Sequence, residues 1–270
     1  MRFQRVPSLT IAVKFFLDKN QLTVAMTGSS SIGLLDRSAD TLAGRIKIFH
    51  LLPACWGEEE GEPTHSFFTD KVEPPQLNKA KREFEQYLKF GGFLEVVSKS
   101  LAEEKEEILS NYRNTYFTRD LAQLSNIENI EGLLAILNHL VRSTGSHLEI
   151  SNFARESGLT HTTAKKYINA LLQSELAFKL YGYQYGPAKR YLKASKIYLA
   201  DNGIITALKQ EVNRGQKIEH FVISELEKRR KLGFIKADQF YYYKSTSGKE
   251  IDLLFEENDC LNIVEIKSTA

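Results

Sequence analysis

Three ionisable residues near the C-terminus have the types and spacing of a phosphodiester-cleaving site: Asp252, Glu265 and Lys267. They lie in Gly248-Lys249-Glu250-Ile251-Asp252-Leu253-Leu254-Phe255 and Leu261-Asn262-Ile263-Val264-Glu265-Ile266-Lys267. Both stretches are rich in branched apolar residues and read as β-strands. Glu257-Asn258-Asp259-Cys260 between them reads as a turn. With Asn258-Asp259 as a two-residue hairpin loop, Glu257 faces Cys260 and, counting back, Asp252 faces Glu265. Facing side chains stand roughly 5 Å apart at Cβ, and Lys267 shares the face of Glu265 because side chains alternate along a strand. Two carboxylates so placed can hold Mg²⁺, which favours oxygen ligands. Such a metal polarises a phosphate and activates water, and a nearby ammonium offsets charge in the transition state. The same spacing fits an edge hairpin with one cross-strand Asp–Lys or Glu–Lys pair facing water. The apolar residues beside Asp252 and Glu265 weigh against that, because a solvated face has no need of them.

The elements that must position this hairpin come just before it. Gly215 to Leu232 reads as an amphipathic helix with Ile218, Val222 and Leu226 inward and Glu219 near its start. Gln239 to Lys244 reads as an aromatic strand, and Asp201-Asn202-Gly203 as the break that opens this last module. Leu148 to Phe178 is a second stretch with chemistry. Ile150 to Ser157 forms a short helix capped by Ser151, Gly158-Leu159-Thr160 a turn, and Thr160 caps a helix carrying Ala164, Ile168, Leu171 and Leu172 inward. This is a helix-turn-helix pattern with glycine in the turn. Its outward face carries His161, Thr162, Lys165, Lys166 and Asn169, side chains able to touch phosphates or base edges of DNA. Two strands, from Phe178 and from Tyr191, flank Gly186-Pro187-Ala188-Lys189-Arg190 in the manner of a basic wing. The alternative is a module used only for packing or for contact with a partner protein or a second copy.

Towards the N-terminus, Pro7 suits a helix start, with Leu9, Val13, Phe16 and Leu17 at helical spacing and a stop at Asn20. Leu22 to Thr27 is a continuous β-type run ending in Gly28-Ser29-Ser30-Ser31. Ligands of open α/β sheets bind at such strand ends, although a tight polar turn explains the serines equally. Asp36 to Ala43 reads as a short helix and Ile46 to Phe49 as a strand, with Gly44-Arg45 between. Leu51 to Pro75, with Trp56 and three prolines, reads as a connector. Helices follow over Gln76–Leu88, Leu101–Leu124 and Asn129–Val141. A chain of 270 residues with 42% hydrophobic and 26% charged residues is ordinary for a globular protein, and a net charge of +2 does not mark a nucleic-acid binder. Cys55 and Cys260, far apart, read as buried thiols in a reducing compartment. With no apolar run of membrane-spanning length and no signal-peptide core, the expected setting is the cytoplasm, without a membrane partner.

Two resemblances follow from these residues. Glu219 on a helix, Asp252 on a strand and Glu265-Ile266-Lys267 on the next resemble the restriction-endonuclease-like fold with its Asp…Glu-x-Lys signature. That resemblance implies metal binding by the carboxylates, chiefly Asp252 and Glu265, and an assisting role for Lys267. More broadly, Gln4-Arg5-Val6-Pro7, Thr27-Gly28-Ser29-Ser30-Ser31, Leu42-Ala43-Gly44-Arg45, Tyr87-Leu88 with Gly91-Gly92-Phe93, and Arg119-Asp120 resemble prokaryotic AAA-type ATP-binding proteins. These carry an uncharacterised C-terminal domain of winged-helix plus nuclease-like type. The resemblance implies that Thr27, Ser29 and Ser30 sit at the sensor position of the ATPase core and that Arg45 contacts phosphate. The family places a Gly-rich phosphate loop and an acidic pair before Gln-Arg-Val-Pro. This chain has no G-x-x-x-x-G-K-[ST], and the acidic pair would fall on Met1 and Arg2.

The expected fold is therefore α/β plus α. Residues 1–75 are the remnant of an AAA-type ATPase core, 76–200 a helical region with a winged helix over about 145–200, and 201–270 a partial nuclease-like module. The reading is of a piece truncated at both ends: the C-terminal part of an AAA-family protein, unable to bind or hydrolyse ATP alone. Alternatives are a DNA-interacting protein with a Mg²⁺-dependent nuclease-like site, and a non-catalytic interaction module.

Overall fold

The computed structural model describes residues 8–19, 23–25, 47, 49–58, 74–184, 194–245 and 247–268. Helix α1 spans Ser8–Asp18 and α2 spans Pro74–Phe90. A short α3 (Leu94–Val97) leads to one long helical run: α4 (Ala102–Tyr112), a π-helical stretch (Arg113–Asp120) and α5 (Leu121–Leu124). Helix α6 (Ile130–Arg142) begins where the Asn129 side chain accepts from Gly132 N at 2.8 Å. It buries Leu133, Ile136, Leu137 and Leu140, one stripe of helical period.

Helices α7 (Ile150–Ser157) and α8 (His161–Gln173) follow, packed on each other and on α6. Gly158 closes α7 with φ of 65°, a left-handed cap that glycine adopts without steric cost. Thr160 caps α8 by accepting from Thr163 N at 3.2 Å, as its sequence position implied. Ser151 does not cap α7, which starts at Ile150 after Glu149 and has no side-chain cap.

Strands β1 (Ala177–Gly182), β2 (Lys196–Leu199), β3 (Tyr241–Lys244), β4 (Glu250–Glu257) and β5 (Cys260–Val264) form one mixed sheet in the order β2-β1-β3-β4-β5. β1 runs antiparallel to β2 and parallel to β3, with Tyr181 beside Tyr241. A sheet therefore continues across the 200/201 boundary drawn from the sequence. β4 and β5 pair antiparallel with Glu257 opposite Cys260 and Leu253 opposite Val264. Asn258 and Asp259, at φ of 50° and 60°, make the two-residue turn. Between β2 and β3 lie α9 (Asn202–Ala207) and α10 (Arg214–Lys231), the latter opened by a capping box between Asn213 and Gln216.

The largest apolar cluster joins the helical run, α6–α8 and the inner residues of β2. A second covers one sheet face with Leu180, Tyr198, Ile223, Phe240, Tyr242, Leu253 and Phe255. A third holds Trp56, Tyr87, Leu88 and Phe221. The connector that the sequence predicts over Leu51–Pro75 carries a pinned part: Ala54, Cys55 and Trp56 are buried, though in no helix or strand. Cys260, expected inside, is exposed, because it opens edge strand β5 beside the turn. Of the strands expected at Leu22–Thr27 and Ile46–Phe49, the described residues 23–25, 47 and 49 are not in strands, and the rest lie outside the described residues. Among the described residues no helix is long and apolar enough to cross a membrane.

Candidate functional site

The β4–β5 ladder runs as far as the Leu253–Val264 pair; Asp252 precedes Leu253 on β4 and Glu265 follows Val264 just past the end of β5. Asp252 is half-buried, and its Oδ2 accepts from the backbone N–H of Ile266 at 2.7 Å. Glu265 is exposed and pairs with Lys267, and this hydrogen bond and charge raise the Lys267 pKa. Glu219, one turn into α10, accepts from the Tyr198 hydroxyl at 2.8 Å. Burial pushes the Glu219 carboxyl above its ordinary pKa; the Tyr198 hydrogen bond and Lys196 pull it down, and Asp252 and Glu250 push it up again. Asp252 therefore acts electrostatically on both Glu219 and Lys267. The four residues form a chain of interactions, with Glu219 inside and the Glu265–Lys267 pair in water. Among the described residues, no three His, Cys, Asp or Glu side chains are grouped to hold a metal ion. Any Mg²⁺ here would rest on two carboxylates and water, a set compatible with that ion's habits.

Beside this array, Lys196 is buried and paired with Glu250, which Lys244 also approaches at 3.5 Å. Burial alone would raise the Glu250 pKa, but the Lys196 hydrogen bond and the two ammoniums bring it below the ordinary value. His147 packs edge-on to Tyr242 at 5.4 Å and is held below the ordinary imidazole pKa by burial and Lys244. No spacing in the sequence pointed to Lys196 or Glu250, because they lie on β2 and β4, which are not neighbours in the sheet.

On α8, His161, Thr162, Lys165, Lys166 and Asn169 are all exposed, as helical phase requires once Ala164, Tyr167, Ile168 and Leu171 are buried. Lys166 Nζ donates to the Asn126 carbonyl at 2.6 Å. Lys189 and Arg190, expected in a basic wing, lie outside the described residues, as do Thr27, Ser29, Ser30 and Arg45.

The most tightly held polar group is one that the periodicity hid. Lys228 on α10 is buried, and its Nζ lies 2.8 Å from Tyr87 Oη, 2.9 Å from Asp201 Oδ2, 3.1 Å from Glu225 Oε1 and 3.2 Å from the Ala54 carbonyl. Asp201 also accepts from Gly92 N at 3.0 Å and Gly203 N at 2.8 Å, and Glu225 accepts from Trp56 N at 2.9 Å. The sequence pattern predicts an apolar inner face through Ile218, Val222 and Leu226; the buried positions of the helix include His220, Glu225, Glu227 and Lys228. The Gly91-Gly92 pair belongs to the same place. A Cβ on Gly91 would meet Asp201 Oδ1 at 1.7 Å, and one on Gly92 the Ala54 carbonyl at 2.0 Å.

Comparison with known proteins identifies the middle of the chain. The profile of a family described as a domain of unknown function, DUF8612, matches residues 81–215, half of the 270 residues. The chain belongs to this family. The DUF8612 match carries α8 with its outward face and ends as α10 begins. A second domain of unknown function, DUF4143, matches residues 214–270 and holds Glu219, Asp252, Glu265 and Lys267. An AAA domain matches residues 3–59, ending just past Trp56. An uncharacterized protein of Methanocaldococcus jannaschii is 27% identical over 251 residues, covering 90% of this chain and 55% of that protein. Uncharacterized proteins of Mycobacterium bovis and Mycobacterium tuberculosis are each 22% identical over 278 residues, covering 99% of this chain and 57% of theirs. The chain thus spans little more than half the length of these relatives. No solved structure matches.

Proposed function

We propose that this chain is the nucleic-acid-docking, C-terminal portion of an AAA-family ATP-binding protein of the cytoplasm, with α6–β2 as a winged helix and α10–β5 as a nuclease-like module. The observation that carries the reading is the order of elements around α8. Helix α6 is followed by the His147–Lys196 bridge, α7, a glycine-closed turn, α8, and the β1–β2 hairpin that takes up that bridge. In such a module the second helix of the turn presents its outward side chains to nucleic acid. Here those side chains are cationic or neutral throughout. Phosphate contacts make binding fall steeply with salt. The test is a gel-shift series from 50 to 200 mM salt with labelled DNA, in single and double strands. Binding that weakens with salt and is lost in Lys165→Ala/Lys166→Ala supports docking at α8; no binding at low salt overturns it. The sequence supplies no phosphate loop to cradle a nucleotide, so the chain alone does not turn over ATP. Mg²⁺-dependent phosphate release by the pure chain would refute that.

A second reading is favoured by the electrostatic link of Asp252 to both Glu219 and Lys267. It makes this array a Mg²⁺-dependent nuclease site. Plasmid nicking that requires Mg²⁺ and disappears in Asp252→Ala supports it. Nicking unchanged in that variant leaves the module as an interaction surface.

A further inference from the structure

The outward face of α8 is not a free convex ridge. It forms one side of an open groove of about 490 Å³, and the other side is the end of the helical run at Ser125 and Asn126. The groove follows α8 from Thr162 to Gln173, about 16 Å at the helical rise of 1.5 Å per residue. Asn126, Thr162, Lys165, Lys166, Asn169 and Gln173 line it, and among the described residues no carboxylate does. Lys166 is tied to the Asn126 carbonyl, so the second wall is fastened to the helix midway along its length.

This wall changes what the face can bind. The major groove of duplex DNA is about 12 Å wide and admits a single α-helix, itself about 10–12 Å across. A helix flanked by attached chain at its centre is too wide to sit there with Lys165, Lys166 and Asn169 against the bases. A single strand has no such limit, since its backbone can lie along a cationic groove with its bases turned to either wall. We propose that this groove is a binding site for single-stranded nucleic acid, with phosphates on Lys165 and Lys166 and the amides of Asn126, Asn169 and Gln173 meeting base edges. The inference rests on the proposal that α8 docks on nucleic acid, and it specifies the form of the ligand.

A second observation agrees. Lys179 on β1 is half-buried, and burial together with the charge of Lys165 lowers its pKa. Two ammoniums that repel each other, with no carboxylate paired to either among the described residues, favour an anion at the Lys165 end. Among the described residues the lining contains no aromatic ring on which bases could stack, so phosphate contacts should dominate and salt dependence should be strong.

The test is fluorescence anisotropy with the 270-residue chain and three labelled probes: a mixed-sequence 20-mer DNA strand, its duplex, and the same strand as RNA. The proposal expects the DNA or RNA single strand to bind at least tenfold more tightly than the duplex, the better of the two naming the natural source. For single strands each neutralised phosphate adds about 0.7 to the slope of log affinity against log salt. Lys165→Ala/Lys166→Ala should therefore cut the slope by about 1.4, and Lys165→Ala alone, which breaks no hydrogen bond to Asn126, by about 0.7. Circular dichroism and urea midpoints matching the parent exclude misfolding of these exposed variants. A duplex that binds as tightly as the strand while still requiring Lys165 and Lys166 overturns the groove but leaves docking at α8 intact. Absence of binding by all three probes overturns both.

Discussion

Lys228 keeps its charge in a place nearly without water because four oxygens lie within 3.2 Å of its Nζ. Burial by itself would lower its pKa, but Asp201 and Glu225 reverse that and hold it above the ordinary lysine value. The same cluster raises the Tyr87 hydroxyl, through burial first and then Glu225, and burial pushes the Cys55 thiol up to about 12. Breaking a buried pair by removing one partner costs about 3–5 kcal/mol, because the remaining charge is left without compensation. Lys228→Met should therefore lower the urea midpoint by that much stability at unchanged slope, and adding Asp201→Asn should recover part of the loss. Additive losses in the double variant would show that the two groups do not act as a pair. His220 gives a separate pH signature. It is fully buried, its Nδ1 meets Asn202 Oδ1, and its pKa falls to about 4 from an ordinary 6.5, through burial mainly and with Lys228 adding, against Asp201 and the Leu199 backbone. Above pH 6.5 the ring is neutral in both states and contributes no pH dependence. Between 6.5 and 4 the unfolded chain takes up the proton first, so stability falls by on the order of 3 kcal/mol as pH drops. His220→Asn should flatten that limb of a stability–pH profile, and an unchanged limb would reassign it to other groups.

At the scale of elements, the β4–β5 hairpin was legible because two local rules agreed: alternating apolar runs and a two-residue turn fix the register without help from the rest of the chain. The turn between α7 and α8 was legible for the same reason, with Gly158 and Thr160 marking it. What could not be read were the contacts that depend on distant elements. Lys196 on β2 meets Glu250 on β4 although β1 and β3 stand between those strands in the sheet order, a contact that no local pattern sets. The charged inner face of α10 violates the period-3.6 rule because its neighbours there are polar: Asp201, Tyr87 and the Trp56 backbone. The hairpin yields its own prediction. Asp259 sits at φ of 60°, where a side chain is strained and glycine is not. Asp259→Gly should stabilise the chain by roughly 0.5 kcal/mol, the relief of that strain less the added entropy of glycine in the unfolded state. A urea midpoint that moves downward instead would mean that the Asp259 side chain contributes a contact outweighing the strain.

One buried cluster brings together described parts of the three matched regions. The segment around Trp56, where the AAA match ends, is held to the DUF4143 helix through Glu225 and Lys228, to α2 through the Tyr87 hydroxyl, which donates to the Ala54 carbonyl, and to the loop after α2 through the Ala54 N–H, which donates to the Gly92 carbonyl at 2.7 Å. The glycines that allow this approach lie inside the DUF8612 match, so all three matched regions meet at the same buried cluster. Trp56 is the single tryptophan of the sequence and packs against Phe84 at 5.1 Å and Phe221 at 6.1 Å. Its emission therefore reports on this junction, whereas far-UV circular dichroism reports on the helices and sheet at large. If the junction belongs to the same cooperative unit as α2–β5, the two signals should follow one urea transition. In Gly92→Ala the added Cβ would meet the Ala54 carbonyl, and backbone must move to relieve it. That variant should shift tryptophan emission to the red in the absence of urea, with ellipticity nearly unchanged, because the Trp56 segment is displaced while the helices remain. Loss of both signals together would instead mean that the junction is required for the fold of the rest, and an unchanged emission would mean that the segment tolerates the extra carbon and is not gripped where Gly92 and Ala54 meet.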